Sequence, residues 1–122
     1  MKDENENLRR RTKAYASAII KLYCSLPKNR REIQVIGGQF LRSGTSVAAN
    51  YREASRARSD TEFISKIAIC TQEADESELW LELLRDDCRI KSEILLWLLK
   101  ETDELISIFV TIVKKVKKRI NE

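Results

Sequence analysis

Five carboxylates crowd residues 73–82, at Glu73, Asp75, Glu76, Glu78 and Glu82. Side chains of that type and density are what general acid–base chemistry or a bound cation would use. The same spacing also describes one solvated or ion-paired flank of a helix. Glu73 and Glu76 border the apolar line of their segment, where Arg42 or Arg52 could pair with them. No histidine occurs among the 122 residues. Its absence removes Ser-His and Cys-His nucleophile pairs, most zinc sites and the Glu-x-x-His ligand sets of di-iron bundles. Cys24, Cys70 and Cys88 stand at no metal-ligand spacing, and the last two fall on an apolar stripe, where a free thiol acts as a small hydrophobe. Gly37-Gly38 lies within a helical pattern and lacks the partners of a phosphate loop. The expectation is a chain with no catalytic residue, no metal and no cofactor.

The cations are more informative. From Met1 to Arg58 there are 13 basic and 5 acidic residues, from Ser59 to Val113 there are 5 and 13, and the last nine hold 5 and 1. The overall charge of +4 therefore hides two basic ends around an acidic middle. Arg52, Arg56 and Arg58 close the second periodic segment, and Lys114, Lys115, Lys117, Lys118 and Arg119 close the fourth. Cations there complement the helix dipole, which is a purely structural role. In an antiparallel bundle, however, those two ends share one pole. The eight residues would then form a joint patch suited to the phosphates of RNA or DNA. No aromatic residue is interleaved with them in sequence, so base stacking is not indicated.

The elements that must position these groups are helices. Hydrophobic residues make up 43% and charged residues 34% of a chain with only three glycines and one proline, enough for one core with few turns. Apolar residues recur in steps of three and four along four segments, predicting helices over approximately 4–26, 31–57, 60–88 and 92–120. Pro27 ends the first, Ser59-Asp60-Thr61-Glu62 reads as a capping box for the third, and Ser92 caps the fourth. Short connections make neighbours antiparallel, so the fold class is all-α: a single up-down-up-down four-helix bundle spanning 1–122. The fourth helix carries Leu95, Leu99, Thr102, Ile106, Phe109, Val113, Val116 and Ile120 on one line, widened by Leu98, Leu105 and Ile112.

Two features of the pattern exceed what one bundle needs. The second segment is unusually rich in small residues, among them Gly37, Gly38, Ser43, Gly44 and Ser46. Each interior glycine costs a helix ~1 kcal/mol relative to alanine, so this helix reads as a close-packing element. On the fourth segment Trp97 and Ile108 sit together, with Glu101 and Glu104, opposite the main stripe, and the third offers Trp80 and Leu83 on a similar flank. A second apolar line predicts a subunit interface and hence an oligomer. The N-terminus lacks the apolar stretch of a signal peptide, and the longest apolar run, ILLWLL (94–99), is too short to span a bilayer. With an odd number of cysteines, the expectation is a reduced, cytoplasmic chain without a membrane partner.

The segment QFLRSGTSVAANYREASRARSDTEFISKIAICTQEADESELWLELL (39–84), with TIVKKVKK (111–118), resembles the 23S rRNA intervening-sequence protein family of bacterial four-helix bundles. The resemblance is carried by Leu41-Arg42, Ser43 through Val47, Ala49-Asn50, Arg52-Glu53-Ala54, Glu62-Phe63-Ile64, and Glu73…Glu76 before Leu79-Trp80. The chain departs from the pattern at Tyr51, where an aliphatic residue is usual, and in the loop 86–91, which lacks a Gly-Tyr-type turn. The resemblance implies a small bundle, some of whose relatives are similar to the accessory protein of diversity-generating retroelements. That accessory protein is a basic homopentamer that works with a reverse transcriptase and binds nucleic acid. Carried onto this chain, Ser43 and Ser46 would return hydrogen bonds to carbonyls one turn back, and Asn50 would tie two helices together. A buried polar pocket for a ligand is the alternative. Two readings of function follow: a non-enzymatic oligomer that binds RNA or DNA through its basic pole, or a protein–protein scaffold without a nucleic-acid partner.

Overall fold

Each periodic segment forms a helix. The computed structural model describes residues 2–122, with side chains from residue 3, and consists of α1 (Lys2–Ser25), α2 (Arg31–Ser55), α3 (Asp60–Asp86) and α4 (Glu93–Ile120). No strand occurs among the described residues. The two predicted caps form: the Ser59 hydroxyl accepts from the Glu62 amide at 3.1 Å, and the Ser92 hydroxyl from the Leu95 amide at 3.2 Å. Each satisfies one of the amides a helix start leaves without a partner.

Helices α2 and α3 stop two residues before the expected ends, for identifiable reasons. After Ser55 the chain tightens, with the Arg56 and Ala57 amides donating to the carbonyls three residues back at 3.2 and 3.0 Å. After Asp86 the Cys88 amide donates to Leu83 and the Ile90 amide to Leu84, closing the helix around Arg89 at φ 59°. That left-handed position normally takes glycine. A side chain there costs on the order of 1 kcal/mol, and the turn without glycine noted in the sequence is this one.

The helices pack in chain order, each against its neighbour, and α1 closes the ring on α4. The α2–α3 seam is the most extensive and the α1–α4 seam the sparsest. One continuous core runs from Leu8, Tyr51 and Phe109 at one pole to Leu26, Ile33 and Cys88 at the other. On α4 the buried line passes through Leu95, Leu98, Thr102, Leu105, Phe109 and Val116. Leu99, Ile106 and Val113, expected at its centre, are its half-buried flank, and Ile120 is 49% exposed beyond the end of the core. An apolar arc this wide fits two neighbours at once, so periodicity alone leaves its midline open by a residue.

One hydroxyl from each helix meets in the middle of the core. The Tyr15 and Thr102 hydroxyls lie 2.6 Å apart, and those of Ser43 and Ser77 2.8 Å apart. Thr102 also donates to the Leu98 carbonyl and Ser77 to the Glu73 carbonyl. Burial pushes the Tyr15 hydroxyl up to about 12, with hydrogen bonds to Thr102 and Ser77 acting against it. No buried side-chain polar atom among the described residues is left without a partner. A satisfied polar layer of this kind penalises every sliding of one helix against another, because a shifted register leaves hydroxyls unpaired in an apolar core.

The small residues of α2 divide by face. A Cβ on Gly44 would stand 2.5 Å from the Ile19 side chain, and one on Gly37 would stand 3.3 Å from Leu26. Both glycines let α1 approach α2. Gly38 differs: a Cβ there meets nothing within 4 Å, so it packs no helix within the chain. Asn50 does not join two helices either. Its amide donates to the Ser46 carbonyl and hydroxyl at 2.9 Å, both on its own helix. Ser46 therefore acts as an acceptor, and the inter-helix hydrogen bond of this face belongs to Ser43.

Candidate nucleic-acid interface

The antiparallel order brings the ends of α2 and α4 to one pole, together with the starts of α1 and α3. Arg119 reaches Asp60 of α3 at 2.8 Å, and the Tyr51 hydroxyl donates to Asn5 of α1 at 2.9 Å. These contacts tie the four termini together around a hollow of about 750 Å³. Its rim holds three of the predicted cations, Arg58, Lys115 and Arg119, and its apolar wall includes Leu8, Phe63 and Ile112. Tyr51 forms part of the floor, stacked on Phe109 with ring centres 6.3 Å apart.

A second, shallower depression of about 430 Å³ adjoins it, lined by Arg52, Arg56, Arg58 and Lys66 with Glu53 and Glu62. Arg58 lines both, which joins them into one surface. Lys66 pairs with Glu53 at 3.0 Å, leaving the three arginines of this group without a carboxylate within ion-pair distance among the described residues. Lys114, Lys117 and Lys118 line neither hollow and stand exposed on the outer side of α4. The eight cations are thus one continuous group of five around the hollows and three lysines beside it.

Aromatic residues are absent from the basic runs along the sequence, but the fold brings two of them to the same pole. Tyr51 comes from α2 and Phe63 from α3, and both line the hollow whose rim carries the cations. Neither lies in the basic run of α4, so linear interleaving could not reveal them. The available signal was their phase, since both fall on the core stripe next to the basic ends.

Of the five acidic groups on α3, Glu73 and Glu76 are ion-paired, and Asp75, Glu78 and Glu82 have no ion pair among the described residues. Arg42 reaches Glu73 at 3.2 Å and Glu76 at 2.6 Å across the α2–α3 seam, and those two carboxylates raise the pKa of its guanidinium. Glu78 is pushed up by burial and by Glu82, Asp103 and Asp75 around it. No group of three or more metal-binding side chains occurs among the described residues, and no helix there is long and apolar enough to cross a membrane.

The expected second apolar line needs correction. Glu101 is buried at 8% exposure, with Arg11 of α1 bonding it through two nitrogens at 2.6 and 3.1 Å. The line through Trp97, Glu101, Glu104 and Ile108 is consequently the α1-facing flank of α4, not the face opposite the core. Ile108 is half-buried against the core, whereas Trp97 remains 45% exposed. Trp80 is half-buried beside the α2–α3 seam, its indole N–H 3.4 Å from Glu76, and Leu83 is half-buried on the same side. The exposed apolar side chains include Val35, Leu79 and Leu96.

Comparison with known proteins agrees with this architecture. A crystal structure of a protein of unknown function from the S23 ribosomal protein family of Bacteroides thetaiotaomicron VPI-5482 superposes with a TM-score of 0.79 at 37% sequence identity, covering 87% of this chain and 97% of that one. No curated protein matched the chain. The sequence model of the 23S rRNA-intervening sequence protein matches residues 4–111, nearly the whole bundle, and the chain belongs to that family.

Proposed function

We propose that this chain is a non-enzymatic subunit of a homo-oligomer that holds RNA or DNA by its phosphates at the basic pole. The observation that carries this reading is the set of unpaired cations there. Of Arg52, Arg56, Arg58, Lys114, Lys115, Lys117, Lys118 and Arg119, only Arg119 has a carboxylate partner among the described residues. Glu4, Glu53, Asp60 and Glu62 line the same hollows but are outnumbered by the cations. The surplus of like charge repels itself and disfavours the fold, so a polyanionic partner gives the arrangement a reason. The Bacteroides relative, itself of unknown function, comes from the S23 ribosomal protein family, a name in keeping with this reading.

The test is salt-dependent binding of a structured RNA by fluorescence anisotropy. If four or more phosphates are contacted, affinity falls about a hundredfold or more between 50 and 200 mM salt. The Lys114→Glu, Lys115→Glu, Lys117→Glu, Lys118→Glu variant binds more weakly to every sequence and shows a shallower salt slope. Affinity that ignores salt would remove the phosphate reading. A second reading, a protein scaffold, is favoured by the exposure of Val35 and Leu96, at 54% and 57%. Protein that purifies free of nucleic acid and ignores RNA at low salt would select it.

A further inference from the structure

We propose that the hollow at the basic pole, between the four helix termini, takes an unpaired base of a single-stranded nucleic acid, while its cationic rim holds the adjoining phosphates. This inference rests on the nucleic-acid reading above and adds a preference for unpaired strand over duplex. Three observations carry it. The hollow, about 750 Å³, has the size of a small-molecule site and is walled by apolar side chains, including the half-buried ring of Phe63. Duplex phosphates alone have no use for such a cavity, because a paired base stays in its stack.

The rim then supplies charge where a strand would need it. Arg58 and Lys115 carry no ion pair among the described residues, and Arg58 continues into the shallower depression with Arg52 and Arg56. A run of cations leading away from an apolar pocket complements a chain of phosphates bearing a base. A fatty acid or another ligand with a single anionic group would leave most of that run unused. Hydrogen-bonding capacity is present as well. Asn5 accepts from the Tyr51 hydroxyl through its carbonyl oxygen, and its amide nitrogen has no acceptor among the described residues. That group and the Ser59 side chain stand at the hollow for the polar edge of a base.

The experiment compares three labelled RNA hairpins on the full chain: one blunt, one with a short single-stranded tail, and one with an abasic tail of equal phosphate number. The tailed hairpin is expected to bind roughly tenfold tighter than the abasic one, the worth of about one stacked base. Phe63→Ala removes that difference, read within the one variant as the ratio of tailed to abasic affinity, which a general loss of binding leaves unchanged. Ala57→Leu, which adds bulk to the hollow from the α2–α3 connection while every core residue and cation is kept, does the same. Circular dichroism melting verifies that both variants are folded. A DNA tail of the same sequence shows which sugar is tolerated, and a gain with either tail supports the proposal.

Equal binding of tailed and abasic hairpins overturns the inference but leaves the phosphate reading intact, whereas no binding by any hairpin removes both. Competition by an acidic, aromatic-bearing peptide, with no gain from either tail, would identify the hollow as a protein dock and likewise overturn the inference.

Discussion

Glu101 is the one charged side chain in the buried class among the described residues, and it sits on the sparsest seam of the bundle. Arg11 satisfies both carboxylate oxygens, and Glu104 adds a weaker contact at 3.9 Å. The fork of a guanidinium matches a carboxylate in two places at once, fixing the rotation of α1 relative to α4 as a single bond cannot. Removing one partner leaves the other desolvated and alone, which costs more than the pair itself contributes. Arg11→Ala is therefore expected to lower stability by about 1–3 kcal/mol in urea unfolding. Glu101→Gln combined with it recovers part of the loss, because the stranded charge is gone. A single-variant loss within about 0.5 kcal/mol, typical of a neutral surface change, would show that the pair is inert.

At the scale of the helix, α2 shows how far a sequence can be read. Four helices, their polarity and two serine caps followed from three-and-four spacing and capping chemistry alone. So did the gathering of basic residues at one pole, because antiparallel order is forced by short connections. The division of labour among neighbouring small residues did not follow. Gly37, Gly38 and Gly44 look alike in sequence, yet only the backbone phase decides which faces α1 and which faces outward. Their exchange for alanine separates them experimentally. Gly44→Ala drives a methyl into the buried, β-branched Ile19, which has little freedom to move, and is expected to cost about 1–3 kcal/mol. Gly38→Ala meets nothing and gains helix propensity, about 0.5–1 kcal/mol of added stability. Thermal melts of the two variants should shift in opposite directions, and equal shifts would refute the assignment of faces. The polar core layer escaped the sequence for a related reason. Tyr15, Ser43, Ser77 and Thr102 are far apart in the chain, and only the registers of all four helices bring them together.

For the whole molecule, the distribution of apolar surface bears on how the proposed oligomer would be built. Trp80 lies by the α2–α3 seam, near the ion pairs of Arg42, with the exposed Leu79 next to it in the chain and the half-buried Leu83 about one turn on. Trp97 lies by the α1–α4 seam, one turn from Glu101 and its Arg11 partner. These seams are on opposite sides of a four-helix bundle. Two unlike patches on opposite sides favour a heterologous contact, in which one face of each copy meets the other face of the next, and such contacts close into rings when the rotation allows. An isologous dimer would use only one of the two patches. Native mass spectrometry of two charge variants tells these arrangements apart. Leu79→Asp with Leu83→Asp spoils one face, and Trp97→Asp spoils the other. In a heterologous ring each variant alone is monomeric. Mixing the two restores a single junction between the intact face of one and the intact face of the other, giving a dimer that cannot grow. In an isologous dimer only one variant loses assembly, and mixing restores nothing. A wild-type chain that is monomeric at every concentration would remove the oligomer from the proposal and leave the basic pole to act alone.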